Sequence, residues 1–276
     1  MAWSKLKNIM LIMLLIVNLF LLALVAVREN RSAQYMKSAR ENVILTFANS
    51  GISVDEENIP WEQTLTMQVM ERDTERERQG AEALLGACTQ TGQGGVYSYV
   101  GERGSVRFSR SGGLSASFAA TAYPVGDAAL EDHALRQLAL LGFEGEVAEV
   151  VQGRGQAQVC VRQTWSGVPI FSCTATLVYE REHLTGIAEG SCRLTGTPVA
   201  VGGEQSLTVA TLLIRFLEGI TERGDICTAI TDMTAGYTLS PSLSDPITLM
   251  PTWFIVTDTG VYYLNGLTGV LERTGG

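Results

Sequence analysis

The chain has 276 residues, 46% of them hydrophobic, with 20 Lys and Arg against 29 Asp and Glu and a formal net charge of −9 at pH 7. An acidic balance argues against nucleic acid and against flat docking on anionic lipid, since both reward a basic surface. Five cysteines without a CxxC pair, and only two histidines, argue against a disulfide-built scaffold and a zinc site.

In chain order, Ile9 to Val27 is one apolar run interrupted only by Asn18. Nineteen residues at ~1.5 Å rise give about 28 Å, close to the hydrocarbon thickness of a bilayer. The run is longer than a secretory signal core, and Leu24-Val25-Ala26-Val27 leads into Arg28 without a small-x-small site. It reads as an uncleaved transmembrane helix over 9–27 behind a cytoplasmic head, 1–8. The Lys and Arg count near the ends points the other way, with Lys5 and Lys7 before the span and Arg28, Arg31, Lys37 and Arg40 after it. The large, folded-looking remainder decides the expectation: N-terminus in the cytoplasm, body extracytoplasmic, single pass in the cell membrane. Without Lys5 and Lys7 the rest carries 18 basic and 29 acidic side chains, a net charge of −11.

A membrane-proximal α+β region is expected over 28–125. A helix over Ser32–Ala48, with Met36, Val43, Ile44 and Phe47 on one face, stops at Gly51. Thr64–Met70 reads as a strand. Thr74 and Glu77 form a capping box opening a helix through Ala81, Leu84 and Leu85, broken at Gly92–Gly95. Strands follow at Val96–Val100, Ser105–Ser109 and Leu114–Phe118, and Tyr123-Pro124-Val125-Gly126 reads as a boundary. In a second unit, 126–200, Asp127 caps a helix with Leu130, Ala134, Leu138 and Leu141 on one face, ended by Gly142. Strands follow near Glu146–Val151, Gln156–Thr164, Pro169–Tyr179 and Leu184–Leu194. The third, 201–276, repeats that order: Ser206 caps a helix ended by Gly219, then strands lie near Ile226–Met233, Gly236–Leu239, Thr252–Thr257 and Val261–Leu264. The expected fold is α+β, antiparallel sheets each packed with a helix, the helix-plus-meander unit occurring twice.

One register follows from loop lengths. A two-residue loop at Ser166-Gly167 sets Cys160 opposite Cys173, and one at Glu182-His183 sets Cys173 opposite Cys192. Three thiols then share a cross-strand row, either as small buried residues or as a bonded pair.

The chemical motifs dissolve on inspection. Ser4-x-x-Lys7 matches a penicillin-recognising pattern but lies against the membrane, outside any core. Asp258-Thr259-Gly260 spells the aspartic-protease triplet, yet between Trp253–Val256 and Val261–Leu264 it reads as a hairpin turn. His133 and His183 read as solvated, Asp55-Glu56-Glu57 as a loop or helix entry, and the glycines at 92–95 and 153–155 as turns. No catalytic residue, cofactor or metal site is expected, and the chain reads as non-enzymatic. Within the span Asn18 is the singular residue. An amide there either finds a partner on another helix, at roughly 0.6–2 kcal/mol, or is tolerated in a lone anchor. Ala23 and Ala26 add a small-residue patch without a GxxxG motif.

Three segments together carry a resemblance: Met1–Ile9 running into Asn18-Leu19-Phe20-Leu21-Leu22; Gln163-Thr164-Trp165-Ser166-Gly167-Val168-Pro169-Ile170-Phe171; and Trp253 with Tyr262-Tyr263-Leu264-Asn265-Gly266-Leu267-Thr268-Gly269. In order and spacing the chain resembles YycI-type proteins. The resemblance implies a bitopic membrane protein that works beside YycH on the WalK (YycG) sensor histidine kinase, whose signalling controls cell-wall metabolism. It implies that the span faces the kinase helices, with Asn18, Phe20, Ala23 and Ala26 as contact candidates. The helix-plus-meander units also look like PepSY modules. That likeness implies the alternative, an extracytoplasmic inhibitor or chaperone of a secreted hydrolase.

Overall fold

The computed structural model describes residues 2–240 and 246–273, with side chains except at 2–6, 8, 9, 26, 30–33, 204 and 273. Helix α1 (Ala2–Asn49) is a single element of 48 residues. At ~1.5 Å per residue it is about 72 Å long, so the apolar run and the helix expected at Ser32–Ala48 are one rod. It ends because Gly51 takes φ +76°. The Gly51 and Ile52 N–H groups then return to the Ala48 and Phe47 carbonyls at 3.0 and 2.9 Å, while Ile52 packs with Phe47 in the core.

Short strand β1 (Ser53–Val54) and β2 (Thr66–Met70) follow. The helix-plus-meander unit then occurs three times, once more than the sequence suggested. The first has α2 (Thr74–Leu85) and strands β3 (Cys88–Gln93), β4 (Val96–Gly101), β5 (Gly104–Phe108) and β6 (Gly113–Phe118). The second has α3 (Leu130–Leu140) with β7 (Gly145–Gly153), β8 (Gln156–Trp165), β9 (Val168–Glu180) and β10 (His183–Cys192). After β11 (Val199–Gln205), the third has α4 (Val209–Arg223) with β12 (Ala229–Ser240), β13 (Ile247–Thr257), β14 (Val261–Asn265) and β15 (Leu271–Arg273). The α+β class is as expected.

The strands build two sheets. In the first, two four-stranded meanders join edge to edge through their last strands, β6 antiparallel to β10, giving the order β3-β4-β5-β6-β10-β9-β8-β7. Helices α2 and α3 pack against each other and against this sheet. Ala81, Leu84, Leu85, Ala134 and Leu138 bury against Tyr99, Phe108, Val159, Val161 and Leu177. In the second sheet β13 pairs with β12 along one edge; its other edge takes β2 at the start and β14 further on. Its core joins Val43 and Phe47 of α1 to Leu212, Leu213 and Phe216 of α4 and to Trp253, Tyr262 and Leu264. Each such buried side chain contributes ~1.5–3 kcal/mol over its exposed state. The two sheets meet at one parallel pair, Ile170 of β9 with Tyr237 of β12.

Packing therefore does not follow the expected limits. Residue 125/126 falls inside the first body, because β6 pairs with β10 and buried Tyr123 stacks edge-on with Phe118. Residue 200/201 falls inside β11, which pairs with β2. The chain builds the second body from both its flanks and inserts the first between them.

Several caps also differ. Asp73, not Thr74, caps α2, accepting from the Arg76 N–H at 2.9 Å, and the helix stops at Leu85 so that Cys88–Gln93 becomes a strand turning on Gly94-Gly95. Ala129 opens α3 without a side-chain cap, in place of Asp127. Thr208 caps α4, while Ser206 is buried and accepts from the Leu65 N–H at 3.1 Å. The last helix runs through Gly219, where a Cβ would lie 2.9 Å from Leu271 Cδ2; that glycine serves close packing, not termination.

Candidate functional site

Two features distinguish the molecule: the junction of α1 with the folded body, and a buried charge-and-thiol cluster where the two bodies meet.

Along α1 the apolar residues from Met10 to Val27 are exposed, between 48% and 70% for the large side chains. The helix is long and apolar enough to cross a membrane. Its helical advance of about 100° per residue spreads the expected contact residues. Relative to Asn18, Phe20 lies at roughly 200° and Ala23 at roughly 140°. One partner helix cannot meet both Asn18 and Phe20. The side chain of Ala26 lies outside the described residues, as does that of Ile9. Beyond the span the helix is exposed at 28–29 and 34–38, then buries Val43 and Phe47, leaving Met36 in solvent. Val43 lies about 24 Å along the axis from Val27. Arg40 fixes the docked end: its Nε and Nη2 donate to Glu56 at 3.1 and 2.8 Å while its guanidinium lies 5.0 Å from the Trp61 ring. Glu56 belongs to the acidic triplet; Asp55 there caps a short 3-10 turn over Glu56–Asn58.

At the junction of the bodies, the segments 71–73 and 193–197 run side by side. The Asp73 N–H donates to the Thr195 carbonyl at 2.8 Å, and a Cβ on Gly196 would sit 1.9 Å from the Glu71 carbonyl oxygen. Each crossing segment brings an arginine to Glu77, which lies on the buried stripe of α2 with Ala81 and Leu84. Arg72 donates to both carboxylate oxygens at 2.9 and 2.8 Å, and Arg193 Nη2 is 3.4 Å away. The carboxylate is 1% exposed and Arg193 4%. Two positive groups share one negative. Their excess charge meets aromatic faces, Arg72 at 4.8 Å from Tyr97 and Arg193 at 4.5 Å from Phe108, and Arg72 also donates to the Gly95 carbonyl. Sequence reasoning assigned Glu77 to a capping box and missed both arginines. The usable signal was periodicity, since Glu77, Ala81 and Leu84 share one helical face.

The expected thiol row is not assembled in the strand ladder. Trp165 faces Val168 as expected, but past Thr164 the register shifts, so Arg162 faces Thr174 and Cys160 faces Thr176, not Cys173. The shift has a cause: residues 170–173 bulge opposite Gln163 so that Ile170 reaches Tyr237 of the other sheet. The next turn is Arg181-Glu182, both at positive φ, instead of Glu182-His183, and β10 lies between β9 and β6 at Gly186 and Ile187, with its pairing to β9 ending there. Cys192 therefore faces Gly113 in the ladder, and its thiol donates to the Arg193 carbonyl at 3.9 Å. Gln163 holds this arrangement: its buried Oε1 accepts from Cys173 Sγ at 3.3 Å and from the Leu194 N–H at 2.7 Å. Burial pushes the Cys173 thiol well up. The neighbouring Cys173 thiol, and secondarily the Arg193 charge, hold Cys192 below the usual thiol range. All five cysteines are free.

Asp258 does sit in the β13–β14 hairpin, where it accepts from the Thr228 N–H and hydroxyl at 3.0 and 2.7 Å and from the Ala229 N–H at 3.2 Å. These bonds lower its carboxyl pKa. It ties two turns together. His133, expected in solvent, is 4% exposed, its Nδ1 3.1 Å from the Tyr179 hydroxyl. Burial, then Arg136, lowers its pKa. His183 opens strand β10 just after the turn, its Nδ1 2.9 Å from the Arg181 carbonyl. Among the described residues no group of three or more His, Cys, Asp or Glu is placed to hold a metal.

No protein-family model matches the chain, and no curated protein matches it. Among solved structures, an uncharacterized protein from Eubacterium rectale superposes with a TM-score of 0.44 at 9% identity, over 81% of this chain and 90% of that one. The C-terminal domain of Bacillus megaterium YpeB superposes with a TM-score of 0.39 at 14% identity, over 75% of this chain and 100% of that one.

Proposed function

We propose that the chain is a non-enzymatic, membrane-anchored regulator of a sensor histidine kinase of the WalK (YycG) type, acting beside a YycH-like partner and so on cell-wall metabolism. The body lies outside the cytoplasm and the span faces the kinase helices. The resemblance of three ordered sequence segments supplies the kinase. The structural observation that supports the reading is the continuity of α1, which runs from the apolar run into the core at Phe47 without a break. A partner biases a two-state kinase only through contacts that differ between its states. A continuous helix gives such contacts a rigid path from body to bilayer; a flexible linker at residues 28–42 would dissipate them.

The test replaces residues 9–27 with an unrelated apolar helix of equal length. Kinase co-purification should be lost while the body keeps its unfolding transition; undiminished co-purification refutes the role of the span. A second variant, Met36→Pro, breaks the exposed stretch of α1 at ~3 kcal/mol. It should leave co-purification intact and abolish the effect on kinase output.

The threefold helix-plus-meander unit favours a second reading, a PepSY-like inhibitor or chaperone of a secreted hydrolase. In that case a body lacking residues 1–28 inhibits or protects a cell-wall hydrolase with no membrane present.

A further inference from the structure

We propose that a small cavity between α2, β8 and the crossing segment 193–197 is a binding site for one small monovalent anion, of the size of chloride. The cavity is about 40 Å³ and is bordered by Arg76, Gly142, Glu144, Gln163, Trp165 and Leu194. A water needs roughly 10–15 Å³ of such space, so the site has room for about two or three waters or a single halide ion.

The cavity holds donors that lack acceptors. Gln163 is 2% exposed, and its Oε1 is taken by Cys173 Sγ and the Leu194 N–H. That fixes the amide and leaves Nε2, a donor without an acceptor among the described residues, for the cavity. An occupant that accepts from it relieves the desolvation penalty of a buried, unpaired donor. Arg76 supplies the charge. Its Nη1 donates to Thr197 Oγ1 at 3.4 Å, and among the described residues it makes no ion pair. Gly142 admits the guanidinium, since a Cβ there would lie 3.0 Å from Arg76 Nε. The C-terminal end of α3, which Gly142 follows, offers it only a partial negative charge.

Charge decides between water and an anion. Nearby, Arg72 and Arg193 already share the single carboxylate of Glu77. Burial lowers the Arg193 pKa; Glu77 opposes that shift, and the charges of Arg76 and Arg72 reinforce it. The junction thus holds surplus positive charge, and Trp165 and Leu194 keep part of the cavity wall apolar, where a charge interaction is stronger than in water. Water satisfies Gln163 and leaves that surplus in place; an anion accepts from Gln163 and Arg76 together and reduces it. Glu144 also borders the cavity, but its side chain is exposed and forms no ion pair with Arg76, so it weakens the site from the rim. The bound anion joins α2 to β8 beside the segment that links the two bodies.

The experiment titrates the full chain in detergent with sodium chloride, gluconate keeping the ionic strength constant, and reads the chloride NMR linewidth and the urea midpoint. The wild type should broaden the chloride signal, bromide should reverse the broadening, and the midpoint should rise with chloride. Arg76→Met should abolish the bromide-displaceable broadening. Glu144→Gln removes a neighbouring negative charge and should lower the chloride concentration at half-effect by about threefold or more. A wild type without displaceable broadening, or an Arg76→Met variant that broadens the signal equally, overturns the proposal and leaves the cavity to water. Weaker chloride binding by Glu144→Gln overturns it as well. The wild-type titration is decisive even if a variant misfolds.

Discussion

Glu77→Gln is the sharpest probe of the junction. The carboxylate sits between two guanidiniums at 2.8 and 3.4 Å, and its side chain is 1% exposed against 9% and 4% for Arg72 and Arg193. Glutamine keeps the volume but removes the negative partner that the two cations share. Its amide nitrogen must also face one of them. Removing one member of a buried ion pair costs about 3–5 kcal/mol, because the remaining charge stays desolvated. That is a large part of the 5–15 kcal/mol typical of a whole domain. Glu75→Gln on the same helix is the control. Its partner Arg78 is as close, 2.6 Å, but the two side chains are 58% and 41% exposed and screened by solvent, so the loss should be small beside that of Glu77→Gln. Urea unfolding followed by tryptophan fluorescence under reducing conditions measures both. Glu77→Gln costing less than about 1 kcal/mol, or no more than Glu75→Gln, would refute the claim that the triad holds the junction.

Two further perturbations test the packing. Because burial lowers the His133 pKa, the unfolded chain takes up a proton near pH ~6.5 while the folded one does not. The stability this contributes is complete above that pH and is lost as pH falls through the lower folded value. Wild-type stability should therefore decline more steeply than that of His133→Gln between pH 7.5 and 5, and parallel curves would contradict the assignment. Gly196→Ala drives a Cβ to 1.9 Å from the Glu71 carbonyl, so the crossing segments must separate. A loss of at least ~2 kcal/mol is expected in the same urea assay, with a neutral effect counting against the close approach.

The amphipathic helices were legible because their order is local. Leu130, Ala134, Leu138 and Leu141 share a face whatever lies opposite, and the glycines at 51 and 142 stop their helices through their own positive φ. Gly219 looked identical in sequence, and only the approach of Leu271 shows it to be a packing site. Caps were misread at Thr74, Asp127 and Ser206, where several neighbouring residues could fill the role and the chain's path chose among them. The thiol row failed for a related reason. A loop length fixes register only until a bulge intervenes, and the bulge at 170–173 exists to join a strand from another part of the chain.

By itself, then, the sequence determined the apolar run, the periodic helices and the α+β class, all consequences of nearest-neighbour chemistry along the chain. Only the tertiary structure decided that α1 is one rod seated in a core, that two meanders share a sheet, and that Glu77 lies between Arg72 and Arg193. It also decided that Cys160 faces Thr176 and Cys192 faces Gly113. Those residues stand far apart in sequence, and their burial depends on which elements face each other; no local spacing encodes that.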